Sequence, residues 1–177
     1  MSVPSLAFSA TAMQRFERIV ARYPHRQAAL LPVLHLAQEE FGWISPEAME
    51  YVGHLLDVPP IKVQHVATFY TMYNLKPVGR FHVQVCTNTA CWLTGGVEIL
   101  EHLKAKFGVG NKGTTSDGLF TLEEVECLAS CGTAPAIQVN DQQDREWPIR
   151  YHENQSIASV DSLMDALRQR AQEGGER

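Results

Sequence analysis

Hydrophobic positions along this chain keep two different rhythms, and the change falls near Lys76-Pro77-Val78-Gly79. Before it, apolar residues recur at helical spacing. Thr11 and Gln14 form a predicted capping box, and Met13, Phe16, Val20 and Tyr23 then line one face until the Tyr23-Pro24 step. A second helix is predicted from about Gln27, with Leu30, Leu34, Ala37 and Phe41 on one face and Gly42 as terminator. Pro32 falls early in it, which implies a kink or a late start. Ser45-Pro46-Glu47 supplies an N-cap, a proline at the first helical position and an acid near the positive end. Ala48, Val52, Leu55 and Leu56 give that third helix its stripe. Pro59-Pro60 opens a fourth, carrying Val63, Val66, Ala67 and Tyr70. Helix packing accounts for all four stripes.

From Arg80 the period shortens to two. Phe81, Val83 and Val85 alternate with His82 and Gln84, which predicts a half-buried strand ending at Cys86. Thr94-Gly95-Gly96 leads into a helix with Ile99, Leu100, Leu103 and Phe107, stopped by Gly108; GVGNKGTTSDG reads as a polar loop. Leu119 to Val125, Ala136 to Val139 and Trp147 to His152 read as further strands. Ser159 is the expected cap of a last helix with Val160, Leu163, Met164 and Leu167 inward, and the tail RAQEGGER is expected to fray. The expected organisation is an all-helical domain over residues 1–76 followed by an α/β domain over residues 77–177.

Composition narrows the class. With 177 residues, 45% apolar and 20% charged, the chain is ordinarily globular and long enough to bury a real core. A formal charge of −5 argues against nucleic acid or an anionic membrane as the main partner. No apolar run approaches the roughly 20 residues needed to span a bilayer, and the N-terminal stretch lacks the basic region and apolar core of a signal peptide. A soluble, cytoplasmic protein is expected. In a reducing compartment, paired cysteines are more often metal ligands or catalytic thiols than disulfides.

Four cysteines are present: Cys86 and Cys91 in FHVQVCTNTAC, Cys127 and Cys131 in EVECLASCGTAP. Each pair follows a predicted strand, so two loops could converge on one site. Four soft thiolates select zinc or iron–sulfur. Zinc sites usually show CxxC-like knuckles, so the gaps of four and three residues here are ones that zinc tolerates without preferring, and a two-iron cluster needs two thiolates per iron. No thioredoxin-type CxxC occurs, which weakens a dithiol redox reading. Spacing and compartment therefore favour iron–sulfur ahead of zinc, with thiol chemistry last. Other signals are weak. Gly108, Gly110 and Gly113 make a formal GxGxxG, but after a helix, and Lys112 precedes Gly, which excludes a Walker phosphate loop. The seven histidines are scattered, and no side chain reads as a catalytic base for Cys127.

The stretches VATFYTMYNLKPVGRFHVQVCTNTACWLTGG and TTSDGLFTLEEVECLASCGTAPAIQVND, with LPVLHLAQEEFGWIS earlier, closely resemble the family of E-type subunits of NADH–quinone oxidoreductase, respiratory complex I. The resemblance covers about Phe16 to Leu167. It implies a four-helix N-terminal domain and a thioredoxin-like [2Fe-2S] ferredoxin domain with a small mixed sheet and flanking helices. It also implies one [2Fe-2S] cluster ligated by Cys86, Cys91, Cys127 and Cys131. The implied role is an electron-carrying subunit, not an enzyme alone and without catalytic residues of its own, that exchanges single electrons with an FMN. That FMN, and NADH, are bound by a larger partner flavoprotein, with the large iron–sulfur subunit as a second partner. The assembly would lie peripherally on the cytoplasmic side of the inner membrane, without direct membrane insertion of this chain. Equivalent subunits serve NAD-linked hydrogenases and formate dehydrogenases, and a zinc-stapled assembly module is the remaining alternative.

Two departures stand out. Relatives commonly carry Gly where this chain has Ala129, and QQDREWPI enlarges a hairpin that usually turns directly, leaving Trp147 either on the sheet or against a neighbour. The loops CTNTAC and CLASC contain no Lys or Arg, and Glu126 adjoins Cys127. Charge compensation is expected from backbone N–H groups and from the hydroxyls of Thr87, Thr89, Ser130 and Thr133, giving a low reduction potential. The aromatics Phe69, Tyr70 and Tyr73 are a candidate docking surface, or simply packing residues.

Overall fold

The structure, a computed structural model, describes residues 6–144 and 147–174. The chain divides into two compact units, Met1–Pro77 and Val78–Arg177.

The first unit is helical. Helix α1 spans Ala10–Val20, α2 Leu30–Phe41, α3 Pro46–Leu56 and α4 Pro60–Phe69. Its caps explain its limits. Ser9, not Thr11, caps α1, its Oγ accepting from the Ala12 N–H at 3.2 Å. The segment Arg26–Ala29 is a tight 3-10 turn, so α2 starts late and Pro32 falls in its first turn, where its missing N–H costs nothing. Gly42 ends α2 at φ +82°. Ser45 caps α3 by accepting from Ala48 at 3.1 Å. Phe16, Leu30, Val33, Leu34, Val52, Leu56, Val63 and Ala67 are among the buried residues of one apolar cluster. Tyr73 belongs to that core, 4% exposed, with its hydroxyl donating to the Leu31 carbonyl at 2.9 Å. Phe69 and Tyr70 lie outside it, 77% and 38% exposed.

The second unit is a five-stranded mixed sheet with two long helices. Its strands are β1 (Phe81–Cys86), β2 (Gly113–Thr114), β3 (Phe120–Val125), β4 (Ile137–Asp141) and β5 (Ile149–His152), in the order β2-β3-β1-β4-β5. Central β1 runs parallel to β3 and antiparallel to β4. A parallel pair needs a crossover, here through short α5 (Thr89–Leu93) and α6 (Gly96–Phe107). Phe81, Val83 and Val85 share one sheet face with Phe120, Leu122, Ile137 and Val139. On that face Ile99, Leu100 and Leu103 of α6 bury themselves beside Val160, Met164 and Leu167 of α7 (Ile157–Gly174).

The other face differs from expectation. His82 is not solvated: it is 5% exposed, its Nε2 is 2.8 Å from Glu123 Oε2, and Gln84 donates to the same oxygen at 2.9 Å. Gln138 in turn donates to Gln84 at 2.7 Å. Burial pushes the Glu123 carboxyl up, but hydrogen bonds from His82 and Gln84, with His82's charge and Lys112, overcome it and hold the group at about 2. In α7, Ser156 and Ser159 hydrogen-bond reciprocally to each other's backbone N–H, so the helix begins earlier than Ser159 predicted. Of the tail, Ala171–Gly174 continues the helix and the last three residues lie outside the described ones, as do Arg145 and Glu146 of the enlarged hairpin. Trp147 is 67% exposed, with its backbone N–H donating to Asp144 Oδ1 at 2.9 Å, so its side chain does not pack on the sheet. Among the described residues no helix is long and apolar enough to cross a membrane.

Candidate metal centre

Because β1 and β3 are adjacent and parallel, the loops that follow them leave the same end of the sheet. Cys86 lies opposite Val125 in the register, and Cys127 comes two residues after Val125. This one topological fact brings both cysteine pairs together. The Cys86 thiol is 3.9 Å from the Glu126 carbonyl oxygen, and the Thr87 N–H donates to the Val125 carbonyl at 3.2 Å. From the other side, the Cys86 N–H donates to the Ala136 carbonyl at 3.2 Å, as the chain re-enters the sheet in β4.

Cys91 sits on α5, a helix too short for the sequence pattern to announce. Asn88 caps it, accepting from the Thr89 N–H at 2.8 Å. The helix turns Cys91 inward to 3% exposure, where it packs with Cys86 and Ala136. Gly96 makes this possible. A Cβ there would lie 2.7 Å from the Cys86 carbonyl oxygen and 2.9 Å from that of Cys91, closer than real Cβ atoms come. Burial pushes the Cys91 thiol up, and the nearby sulfurs of Cys86 and Cys131 push the same way, while the Ala136 N–H opposes them by hydrogen-bonding the sulfur.

Cys127 and Cys131 are exposed, on a loop that passes through Ala129 at φ +57° and closes in the 3-10 turn Cys131–Thr133 and a cis Ala134-Pro135 bond. The Ala129 N–H reaches the Cys127 sulfur at 3.3 Å. All four cysteines are free thiols.

The donor set fits an iron–sulfur cluster. It is thiolate throughout, two backbone N–H groups already address sulfurs, and no Lys or Arg lies in either loop. Among the described residues no group of three or more His, Cys, Asp or Glu side chains gathers where a single ion would sit. The thiols are presented as two pairs on two loops. A two-iron cluster, with two thiolates on each iron, can use that arrangement.

The expected hydroxyl donors are engaged elsewhere. Thr87 donates to Glu124 at 3.0 Å, Thr89 lies 3.3 Å from Asn88 Oδ1, and Ser130 and Thr133 both donate to Glu153 Oε1, at 2.6 and 2.7 Å. Those two hydrogen bonds hold the Glu153 carboxyl below its usual range. Glu153, one residue beyond the strand that the sequence predicts to end at His152, is thus tied to the loop of Cys131. The formal GxGxxG dissolves: Gly108 ends α6 at φ +65° and Gly113 begins β2.

Known proteins resemble this chain along most of its length. The family model of the thioredoxin-like [2Fe-2S] ferredoxin matches residues 16–168. The chain is 39% identical over 169 residues to the E subunit of NADH-quinone oxidoreductase of Rickettsia bellii, covering 94% of this chain and 96% of that protein. It is 40% identical over 158 residues to the E 2 subunit of NADH-quinone oxidoreductase of Rhizobium meliloti, with 89% of each covered. Among solved structures, an NAD+-reducing [NiFe]-hydrogenase in the air-oxidized state superposes with a TM-score of 0.67 at 20% identity. The match covers 84% of this chain but 24% of that one, and it speaks to the fold alone. With the family pattern spanning both units and relatives near 40% identity along almost their whole length, the chain belongs to the thioredoxin-like [2Fe-2S] ferredoxin family, among the E subunits of NADH-quinone oxidoreductase.

Proposed function

We propose that Cys86, Cys91, Cys127 and Cys131 hold one [2Fe-2S] cluster, and that the chain is the electron-transfer subunit of the NADH-oxidising part of respiratory complex I. The observation that carries this reading is the delivery of both cysteine pairs to one end of the sheet by the adjacent parallel strands β1 and β3. A bound [2Fe-2S] cluster supplies reversible transfer of one electron at a time. The protein's own part is to set its surroundings. Cys86 and Cys91 present buried sulfurs, which excludes water from that side, and Cys127 and Cys131 present exposed ones, where a redox partner can approach. The N–H groups of Ala129 and Ala136 stabilise negative charge on sulfur. With no cation in either loop, that stabilisation is modest and the potential is low.

The remaining parts of the reading are carried over from the family resemblance. NADH and FMN are bound by a larger partner flavoprotein, and the large iron–sulfur subunit is a second neighbour; this chain alone oxidises no NADH and contributes no catalytic residue. It works at the cytoplasmic side of the inner membrane, as residues 1–76 and 77–177 forming two domains, with no nucleic acid and no insertion in the bilayer. The equivalent subunit of an NAD-linked hydrogenase or formate dehydrogenase is the alternative. Two experiments test the reading. Anaerobically purified, reduced protein should give the EPR signal of a two-iron centre that Cys91→Ala abolishes; a signal that survives this substitution contradicts the assignment. Co-purification should recover a flavoprotein and a quinone-reducing assembly, and recovery of nickel-containing hydrogenase subunits in their place selects the alternative.

A further inference from the structure

We propose that Glu153 is a positioning residue for the candidate cluster: through the hydroxyls of Ser130 and Thr133 it clamps the Cys127–Cys131 loop and sets a carboxylate beside it. The inference rests on the four-cysteine reading above. Its geometry is independent of it. Ser130 immediately precedes Cys131, and Thr133 ends the 3-10 turn that Cys131 opens. Both hydroxyls converge on one oxygen, Glu153 Oε1, at 2.6 and 2.7 Å, the short range of an O–H bonded to a carboxylate. A hydroxyl has one hydrogen to give. Ser130 Oγ and Thr133 Oγ1 are also 2.7 Å apart, so the two hydroxyls and Glu153 Oε1 share their hydrogens in one cluster on the loop of Cys131.

Backbone bonds continue the clamp. The Asn154 N–H donates to the Thr133 carbonyl at 2.7 Å and the Gln155 N–H to the Pro135 carbonyl at 3.0 Å. Asn154 takes φ +50°, the left-handed turn that lets three successive residues face the loop. Gln155 Nε2 donates back to the Glu153 carbonyl at 2.8 Å. The segment 153–155 joins the end of β5 to the start of α7, so the exposed loop of Cys127 and Cys131 is tied to two elements of the sheet unit. Cys86 and Cys91 need no such tie, being held by β1 and by the packing of α5.

Two consequences follow for a cluster held there. The carboxylate adds a negative charge beside the loop of Cys131, which disfavours taking up an electron. It also fixes, through Ser130 and Thr133, the loop that carries two of the four thiols. Glu153 therefore lowers the potential and holds the loop at once.

The test uses the full chain with its cluster, in wild type and in Glu153→Gln, Glu153→Ala, Thr133→Val and the Glu153→Ala/Thr133→Val double variant. Redox titration followed by EPR should show a more positive midpoint potential in both Glu153 variants. Iron release to a chelator should be severalfold faster in Glu153→Ala, and Glu153→Ala should add less to that rate in the Thr133→Val background, because the partner hydroxyl is already gone. Unchanged potential in Glu153→Gln, at wild-type iron content, overturns the inference. So does full additivity of Glu153→Ala and Thr133→Val. Wild-type protein that binds no iron and no sulfide would instead bring down the four-cysteine reading itself, which separates the two failures.

Discussion

Ala129 carries a backbone cost beside a candidate ligand. Its φ of +57° is a conformation in which a Cβ crowds the following carbonyl, at about 1 kcal/mol for a non-glycine residue. Ala129→Gly should therefore raise the unfolding free energy by about 1 kcal/mol, read as a higher denaturant midpoint at unchanged slope. A midpoint that falls would mean that the methyl group packs usefully. A second residue-scale effect lies on the polar sheet face. Glu123 is held at about 2 against an ordinary value of 4.5, so its stabilisation is complete above about pH 4.5 and is lost as pH falls through about 2. Glu123→Gln should lower stability at pH 7 and flatten the acid limb over that window, as followed by urea unfolding at a series of pH values. The cysteines were legible in the sequence because thiolate chemistry and spacing are local. Glu153 was not, because it lies 23 residues from Ser130 and only the fold brings them together. For the same reason the sequence offers the hydroxyls of Thr87, Ser130 and Thr133 as donors to sulfur, whereas the fold brings them carboxylate partners from other strands or loops.

Among the elements, α5 and the start of α6 decide whether Cys91 can face Cys86. Gly96→Ala would bring a Cβ against two backbone carbonyls that cannot yield independently, so it should cost about 1–3 kcal/mol and reduce iron retention. Comparing iron content and denaturant midpoint of this variant with those of Gly110→Ala checks the point, since a Cβ at Gly110 meets nothing within 4 Å. Equal effects in both would remove the close-approach argument. The long elements were readable from periodicity and caps, as in Ser45-Pro46 opening α3 and Gly42 and Gly108 closing α2 and α6. The short ones were not. Helix α5 has five residues and β2 two, too few to show a period, and both depend on tertiary contacts. The half-buried reading of β1 failed because alternation reports polarity: a polar residue on a central strand is buried when neighbouring strands supply its hydrogen bonds, as Glu123 does for His82.

For the whole molecule, the division of labour is between a helical unit with its own apolar core and a sheet unit that bears all four cysteines. Metal binding stabilises the state that holds the ligands in place. Stripping iron should thus lower the unfolding midpoint of the sheet unit and loosen amide protection first at residues 127–135, as read by hydrogen exchange with and without chelator. Uniform loss of protection across both units would contradict that localisation. The central claim is the nature of the centre, and one measurement reaches it directly: iron, zinc and acid-labile sulfide per chain in anaerobically purified protein. The account predicts about two irons and about two sulfides with no zinc. Colourless protein holding about one zinc and no sulfide would contradict it.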